Sequence, residues 1–357
     1  MLAQLRSSAV FGIDAYTVNI EIDSSGGLPS YTLVGLPDAA VKESHERIFS
    51  AVKNSGLHIP ATKVVVNLAP ADIRKEGSSF DLPLALGILM ATRQIIAEHA
   101  GDYLILGELS LDGNVKPVRG ILPMAIAARK KGFRGILVPD ANANEAAVAE
   151  GLDVYPVKNL AEAVRHITGE SPLPLYRIDI NDLFKRAQRY PTDFSDVKGQ
   201  AHVKRALEVA ASGSHNILMQ GPPGSGKTMM ARRLPSILPD LTLEEALETT
   251  KIHSVAGLLP GGSAIVATRP FRSPHHTISE AALAGGGTHH LKPGEVSLAH
   301  HGLLFLDELP EFKKPVLEVL RQPLEDGQVN ISRITSAVTF PSRFMLAVAM
   351  NPCPCDC

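Results

Sequence analysis

The eight residues from 221 to 228 constrain this chain more than any other stretch, because they match the glycine-rich loop that ends in Gly-Lys-Ser/Thr and encloses a phosphate. The apolar run 216–220 in front predicts a short buried strand, and residues 229–234 behind predict a helix. Strand, loop and helix in this order turn successive backbone N–H groups toward one anion. The loop consists of Gly221, Pro222, Pro223, Gly224, Ser225, Gly226, Lys227 and Thr228.

Two side chains of this loop have the chemistry that a nucleoside triphosphate requires. Lys227 supplies a positive charge for the β- and γ-phosphates, and the Thr228 hydroxyl is placed to hold Mg²⁺. A glycine-rich turn formed by chance would have to match every fixed position and both flanking elements. We therefore expect the chain to bind ATP together with Mg²⁺.

The composition limits the classes of protein to consider. The 357 residues provide about two domains, and 45% hydrophobic with 20% charged residues is typical of globular proteins. A net charge of −2 gives no global basic field for nucleic acid, although it leaves room for a local basic patch. Neither a signal peptide nor an apolar segment of spanning length is evident, so we expect a cytoplasmic protein outside the membrane.

Residues 1–170 show strand and helix patterns that predict a complete α+β domain. The turn at 24–27 predicts that 31–34 returns beside the first strand, and Asp112-Gly113 predicts a hairpin between 103–107 and 114–117. The expected strands are 16–22, 31–34, 63–68, 103–107, 114–117, 135–138 and 153–157. The expected helices are 38–54, 82–92, 122–131, 144–150 and one that Asn159 begins.

This first domain resembles the proteolytic domain of Lon-type proteases. Residues 74–81 stand where Lon carries its nucleophile motif, and Ser79 would match the catalytic serine. The general-base lysine of Lon does not follow, because the chain has Ile-Leu-Pro at 121–123. A serine without an adjacent base is a weak nucleophile. We expect an inactive, structural or assembly domain in which Ser79 caps or turns into helix 82–92.

A proline-rich break at 169–174 predicts a linker over 171–193 and a second domain over 194–357. Within the linker, 183–190 predicts a short basic helix that is either solvated or in contact with nucleic acid. Residues 194–200 resemble the segment with which AAA+ ATPases enclose the adenine. By that resemblance, Val197 and Gly199 would line the adenine pocket.

Two further positions in the second domain have nucleotide chemistry. The apolar strand 303–306 ends in Asp307 and Glu308, of which the first can hold hydrated Mg²⁺ and the second can polarise the attacking water. Surface charge is the alternative, but a preceding phosphate loop favours the catalytic interpretation. Asn351 follows the apolar strand 344–350 and resembles the "sensor 1" residue of AAA+ proteins; an asparagine in a turn before proline is the alternative.

The interval between Lys227 and Asp307 is longer than one crossover helix and strand require. It resembles the helix-2 insert of the magnesium-chelatase branch of AAA+, and 328–340 resembles the hairpin before sensor 1 in that branch. Arg333 near the hairpin tip could meet a DNA phosphate.

Histidines and cysteines raise the question of a further metal. His275, His276, His289, His290, His300 and His301 form adjacent pairs without i, i+4 spacing, which favours structural or substrate contacts over metal ligation. A closed zinc site needs four ligands, so zinc would need one more group, and free thiols in a turn are the alternative. The cysteines are Cys353, Cys355 and Cys357.

Taken together, the chain resembles the YifB/ComM family of magnesium-chelatase-like AAA+ ATPases along essentially its whole length. Residues 272–276 and 351–355 complete the resemblance. It implies a Lon-like α+β domain, then a P-loop AAA+ parallel-sheet core, and a homo-oligomer, hexameric when full length. It also implies ATP-driven branch migration on branched or single-stranded DNA in competence and recombination. The alternatives are a chelatase-like protein- or cofactor-remodelling ATPase and a nucleotide-binding fragment that does not hydrolyse ATP.

Family members continue past sensor 1 with an arginine finger, a sensor 2 arginine and a helical lid, none of which follows Asn351 here. An arginine finger contributes roughly 10³ to 10⁵ in rate. We expect a core without its lid that binds ATP and hydrolyses it poorly or not at all.

Overall fold

The structure is a computed structural model that describes residues 1–259, 263–287, 291–332 and 337–352. The chain forms two compact units, the first built mainly from Met1–Asp179 and the second mainly from Ile180–Leu259 and Ile265–Cys357. The boundary lies inside the segment 171–193 that the sequence predicts as a linker. In the described residues, no helix has the length and apolar character needed to cross a bilayer.

The first unit is a mixed sheet with helices, in the strand order β3-β4-β2-β1-β5-β8-β9, beside a small β6–β7 hairpin. Its strands are β1 (Leu2–Phe11), β2 (Asp14–Ser25), β3 (Ser30–Val34), β4 (Lys63–Ala69), β5 (Tyr103–Ile105), β6 (Glu108–Leu109), β7 (Val115–Lys116), β8 (Gly135–Pro139) and β9 (Asp153–Val157). Its helices are α1 (Ala39–Lys42), α2 (Ser44–Asn54), α3 (Asp81–Ala91), α4 (Ile121–Lys130), α5 (Ala143–Ala147) and α6 (Leu160–Ile167).

Two predicted strand pairings in this unit are wrong. Strand β3 does not return beside β2 but pairs in parallel with β4, because α1 and α2 form the crossover that a parallel pair requires. The Asp112-Gly113 turn closes a hairpin between β6 and β7, whereas β5 pairs in parallel with β1 and β8. All three residues of β5 are buried, as in a central parallel strand. Strand β1 was not predicted.

Helix α3 forms the centre of the first core. Ten of its eleven residues are buried, as expected for a helix that is apolar on every face. At Gly87 an added Cβ would lie 2.6 Å from Ile22 Cδ1 and 2.9 Å from Leu5 Cδ1. Glycine therefore lets α3 pack closely on β1 and β2.

The second unit contains a four-stranded parallel sheet in the order β10-β17-β14-β11. Its strands are β10 (Ile217–Gln220), β11 (Phe271–Arg272), β12 (Gly285–Gly286), β13 (Lys292–Pro293), β14 (Leu303–Leu306), β15 (Gln328–Ser332), β16 (Ala337–Pro341) and β17 (Met345–Met350). Its helices are α7 (Ile180–Ala187), α8 (Ala201–Ser212), α9 (Lys227–Arg233), α10 (Leu243–Ala256), α11 (Glu280–Ala284), α12 (Glu295–Leu298), α13 (Lys314–Glu318) and α14 (Arg321–Asp326).

The parallel sheet determines where polar side chains of the second unit meet. Every residue of β14 is buried and apolar. The polar residues that follow in the sequence therefore begin where the strand leaves the sheet. The carboxyl ends of the four strands lie along one edge, which is where ligands bind in open parallel sheets. Strands β15 and β16 form an antiparallel hairpin just before β17, as the sequence predicts.

A partly buried ion pair, in which the Asp81 carboxylate is buried, joins α2, α3 and β6 in the first unit. Arg47 donates from Nε to Asp81 Oδ2 at 2.8 Å and from Nη2 to Oδ1 at 3.0 Å. The backbone N–H of Leu109 donates to Oδ2 at 3.2 Å. Burial raises the pKa of Asp81, and the hydrogen bonds from Arg47 oppose that rise. Arg47 thus supplies most of the interactions that offset the cost of burying the Asp81 carboxylate.

We predict that Arg47→Ala lowers the free energy of unfolding by about 3 kcal/mol, because it leaves a buried carboxyl without its cation. Arg177→Ala is the matched control, since the Arg177 side chain is 78% exposed and lies 3.7 Å from Asp153. Urea denaturation followed by circular dichroism measures both. Equal destabilisation by the two substitutions would contradict the prediction.

Candidate functional site

The predicted phosphate loop leaves the sheet at the end of β10, beside the end of β17. Gln220 pairs with Met350, and the Gly221 N–H donates to the Met350 carbonyl at 3.3 Å. Gly224 and Gly226 have φ of 76° and 88°, in the left-handed region that glycine adopts without strain. Nothing lies within 4 Å of an ideal Cβ at Gly224, so the backbone conformation and not a lack of space requires glycine there.

Lys227, the first residue of α9, is held by oxygens on both sides of the loop. Its Nζ donates to the carbonyls of Gly221 at 2.7 Å and Pro222 at 3.0 Å, and to Asn351 Oδ1 at 3.1 Å. An ammonium group has three N–H donors, so these three hydrogen bonds account for all of them. The fold thus brings together two predicted site residues that lie 124 positions apart.

Thr228 meets the predicted acidic pair from the other side of β17. Its Oγ1 donates to Asp307 Oδ2 at 2.6 Å, while the Glu308 N–H donates to Asp307 Oδ1 at 3.1 Å. A hydroxyl and a carboxylate side by side are hard oxygen ligands of the kind that Mg²⁺ prefers. The donor set therefore fits the ion that the sequence predicts.

Glu308 has an unusual backbone conformation. Its φ is 56°, which is uncommon for a residue with a side chain and is often found at functional positions. The side chain is 55% exposed, and Oε2 lies 3.9 Å from Nδ1 of His276. Sequence reasoning did not connect these two residues, because they follow different strands.

The predicted adenine segment lies against the phosphate loop. Gln200 donates from Nε2 to the Ser225 carbonyl at 2.9 Å, a contact that sequence reasoning missed. Gly199 is exposed with φ of 70°, whereas the Val197 side chain is only 1% exposed. Val197 packs in the hydrophobic core with Phe194.

Some predicted residues lie outside the described part of the chain. These are the three cysteines considered for zinc, Arg333 at the hairpin tip, and one histidine pair; by number they are Cys353, Cys355, Cys357, Arg333, His289 and His290. In the first unit, Ser79 lies in the turn before α3, one residue ahead of the cap position Phe80.

His300 and His301 belong to a polar network at the opposite edge of the sheet. Nε2 of His301 lies 2.9 Å from Glu248 Oε2, and Nε2 of His300 lies 3.4 Å from the same oxygen. The Arg343 backbone N–H donates to His300 Nδ1 at 3.0 Å. Burial, with the neighbouring His301, lowers the pKa of His300 to about 4.

The hydrogen bond from Arg343 argues against His300 as a metal ligand. One ligand atom each from Glu248, His300 and His301 lies within 4.8 Å of the others, a spacing that could hold an ion. However, Nδ1 of His300 accepts an N–H, so the neutral ring carries its proton on Nε2, the nitrogen that faces Glu248. Metal-bound histidines instead donate from the second nitrogen. We interpret this cluster as a structural network.

Comparison with known proteins covers both units. Residues 193–357 match the family model described as magnesium chelatase, subunit ChlI, and residues 20–142 match that of subunit ChlI of Mg-chelatase. The competence protein ComM of Haemophilus influenzae is 46% identical over 99% of this chain and 69% of its own length. The uncharacterized protein YifB of Escherichia coli K12 is 43% identical over 99% of this chain and 68% of its own.

The likeness to Lon is partial. The Lon protease of Brevibacillus choshinensis is 26% identical over 44% of this chain and 21% of its own length.

We predict a loss of stability in acid from His300. Its pKa is lowered in the folded state, so the unfolded chain binds more protons between about pH 6.5 and about pH 4. The free energy of unfolding is therefore unaffected by His300 above about pH 6.5. It decreases as the pH falls from about 6.5 to about 4, by at most about 3 kcal/mol. Urea denaturation across pH should show a smaller acid loss in His300→Gln. His202→Gln, at an exposed position of α8, is the control; equal acid slopes in both variants would contradict the prediction.

Proposed function

The chain belongs to the YifB/ComM family of magnesium-chelatase-like AAA+ ATPases, and on that premise we propose that it binds Mg·ATP and hydrolyses it. One observation carries the proposal. The loop ending at Thr228 and the pair Asp307–Glu308 meet at the carboxyl edge of the sheet, since Thr228 Oγ1 and Asp307 Oδ2 lie 2.6 Å apart. Strand β17 lies between β10 and β14, so this contact joins residues that follow two strands that are not neighbours in the sheet, which supports the proposal.

We assign binding to the loop and to Lys227. The backbone N–H groups of 224–228, which follow the two prolines of the loop, enclose the phosphates. Lys227 exchanges the carbonyls of Gly221 and Pro222 for phosphate oxygens. Val197 and Gly199 remain the proposed neighbours of the adenine. Thr228 and Asp307 are the proposed Mg²⁺ ligands, and the ion, when bound, neutralises charge on the phosphate oxygens.

We assign hydrolysis to Glu308 and Asn351. The Glu308 carboxylate accepts a hydrogen bond from the attacking water, polarises it and orients it toward the γ-phosphate. Asn351, at the end of β17, is the proposed polar contact to that phosphate or its water. Its hydrogen bond with Lys227, at 3.1 Å, supports this role, because Lys227 is the proposed phosphate contact.

We further propose that the motor acts on DNA as a ring of identical subunits. A relative named for competence supports DNA as the substrate, and the β15–β16 hairpin is the element that the resemblance directs toward the ring centre. The second candidate is a chelatase-like remodelling ATPase, which the descriptions of the matching family models favour.

Lys227→Ala and Glu308→Gln should separate binding from hydrolysis. We expect Lys227→Ala to weaken Mg·ATP binding at least about tenfold, because it removes a charge-assisted contact to phosphate. Glu308→Gln should keep the affinity and lower turnover by about 10² or more, because it removes the base. Titration with a fluorescent ATP analogue and a phosphate-release assay measure the two. Wild-type affinity in Lys227→Ala would refute the site.

Branched DNA tests the substrate. If DNA is the substrate, forked DNA should raise the ATPase rate at low salt, and the effect should weaken as salt rises. Glu308→Gln, which should bind DNA without turnover, is the control. A rate that DNA leaves unchanged, together with no binding in the presence of an ATP analogue, would favour the remodelling function.

A further inference from the structure

The Glu308 carboxylate is a candidate catalytic group, and its side chain must be held in one orientation to act. Its backbone is fixed, because its N–H donates to Asp307 Oδ1 at 3.1 Å and φ is 56°. Its side chain, however, is 55% exposed. A carboxylate that polarises one water must hold one direction, and an exposed glutamate loses rotamer entropy when it is held there.

The imidazole of His276 lies next to this carboxylate. Nδ1 is 3.9 Å from Glu308 Oε2, and the side chain is 30% exposed. The ring packs against His275 at 4.0 Å between centroids and stands edge-on to Phe312 at 6.4 Å. Phe312 is buried, so His276 is held from two sides by rings, one of which belongs to the core.

The backbone that carries His276 is also held. The Ile278 N–H donates to the His275 carbonyl at 2.9 Å, which closes a turn over 275–278. This turn follows β11, and β11 pairs in parallel with β14 through Arg272 and Leu304. Because both strands end at the same edge of the sheet, the turn is placed beside the start of the segment that begins with Asp307.

We propose that His276 is a positioning residue for Glu308, an inference that rests on the ATPase function proposed above. Nδ1–H donates to Oε2 and leaves Oε1 free to meet the water. At 3.9 Å the two atoms are beyond hydrogen-bond length, so the proposed contact requires a side-chain rotation that brings them closer. Catalytic hydrogen bonds are often long before the reactant binds and shorten in the complex.

Three substitutions separate the donor from the ring. His276→Phe keeps a ring between His275 and Phe312 but has no donor, His276→Ala removes both, and His276→Asn keeps an N–H near the position of Nδ1. We expect Phe and Ala to slow hydrolysis about tenfold, and Asn to restore most of the rate. Affinity for Mg·ATP should stay within about twofold, because the proposed contact does not reach the phosphate loop.

A single-turnover assay with γ-labelled ATP and excess protein measures these rates, with Glu308→Gln as the lower reference. A wild-type rate in His276→Phe, no rescue by Asn, or a parallel loss of affinity would overturn the positioning role alone. If the parent chain is no faster than Glu308→Gln, the proposed hydrolysis fails and the positioning role fails with it.

A second readout needs no nucleotide. In ¹⁵N spectra of histidine side chains, Glu308→Gln should shift the ring nitrogens of His276 and leave those of exposed His202 unchanged. Unmoved His276 resonances would overturn the contact, whatever the hydrolysis rates show.

Discussion

A single hydrogen bond, from Thr228 to Asp307, joins the two parts of the proposed nucleotide site. At 2.6 Å it connects the first turn of α9 with the end of β14, across the position of β17. Lys227 makes the second connection, to Asn351 at the end of β17. Each contact exists because parallel strands bring their carboxyl ends to one edge. The chemistry therefore depends on strand order as much as on residue type.

Polar side chains are paired with one another at one edge of this sheet and left exposed at the other. At the amino ends of the strands, Arg269 donates to the His301 carbonyl at 2.7 Å and pairs with Glu245 at 3.3 Å. With His300 and Glu248, these groups satisfy one another. At the carboxyl ends, the Glu308 side chain is left 55% exposed. Polar groups that satisfy one another stabilise the fold, whereas exposed ones remain available to a ligand.

Local sequence was enough to predict the second unit's strand–loop–helix and the polar residues at strand ends, because each is a contiguous pattern. It was not enough for pairings between distant segments. Strand β1, the parallel partner of β3 and the hairpin partner of β7 depend on contacts that no local periodicity encodes. The same reason hid the approach of His276 to Glu308 and of Gln200 to Ser225. The roles of the site residues stay predictions.

The central claim is that one Mg·ATP lies between the phosphate loop and the acidic pair. The most direct measurement is a crystal structure of the chain with Mg²⁺ and a non-hydrolysable ATP analogue. The account predicts phosphate oxygens on the backbone N–H groups of 224–228, and Mg²⁺ within bonding distance of Thr228 Oγ1. A nucleotide bound elsewhere, with Thr228 still bonded to Asp307 and Lys227 still on its carbonyls, would contradict it.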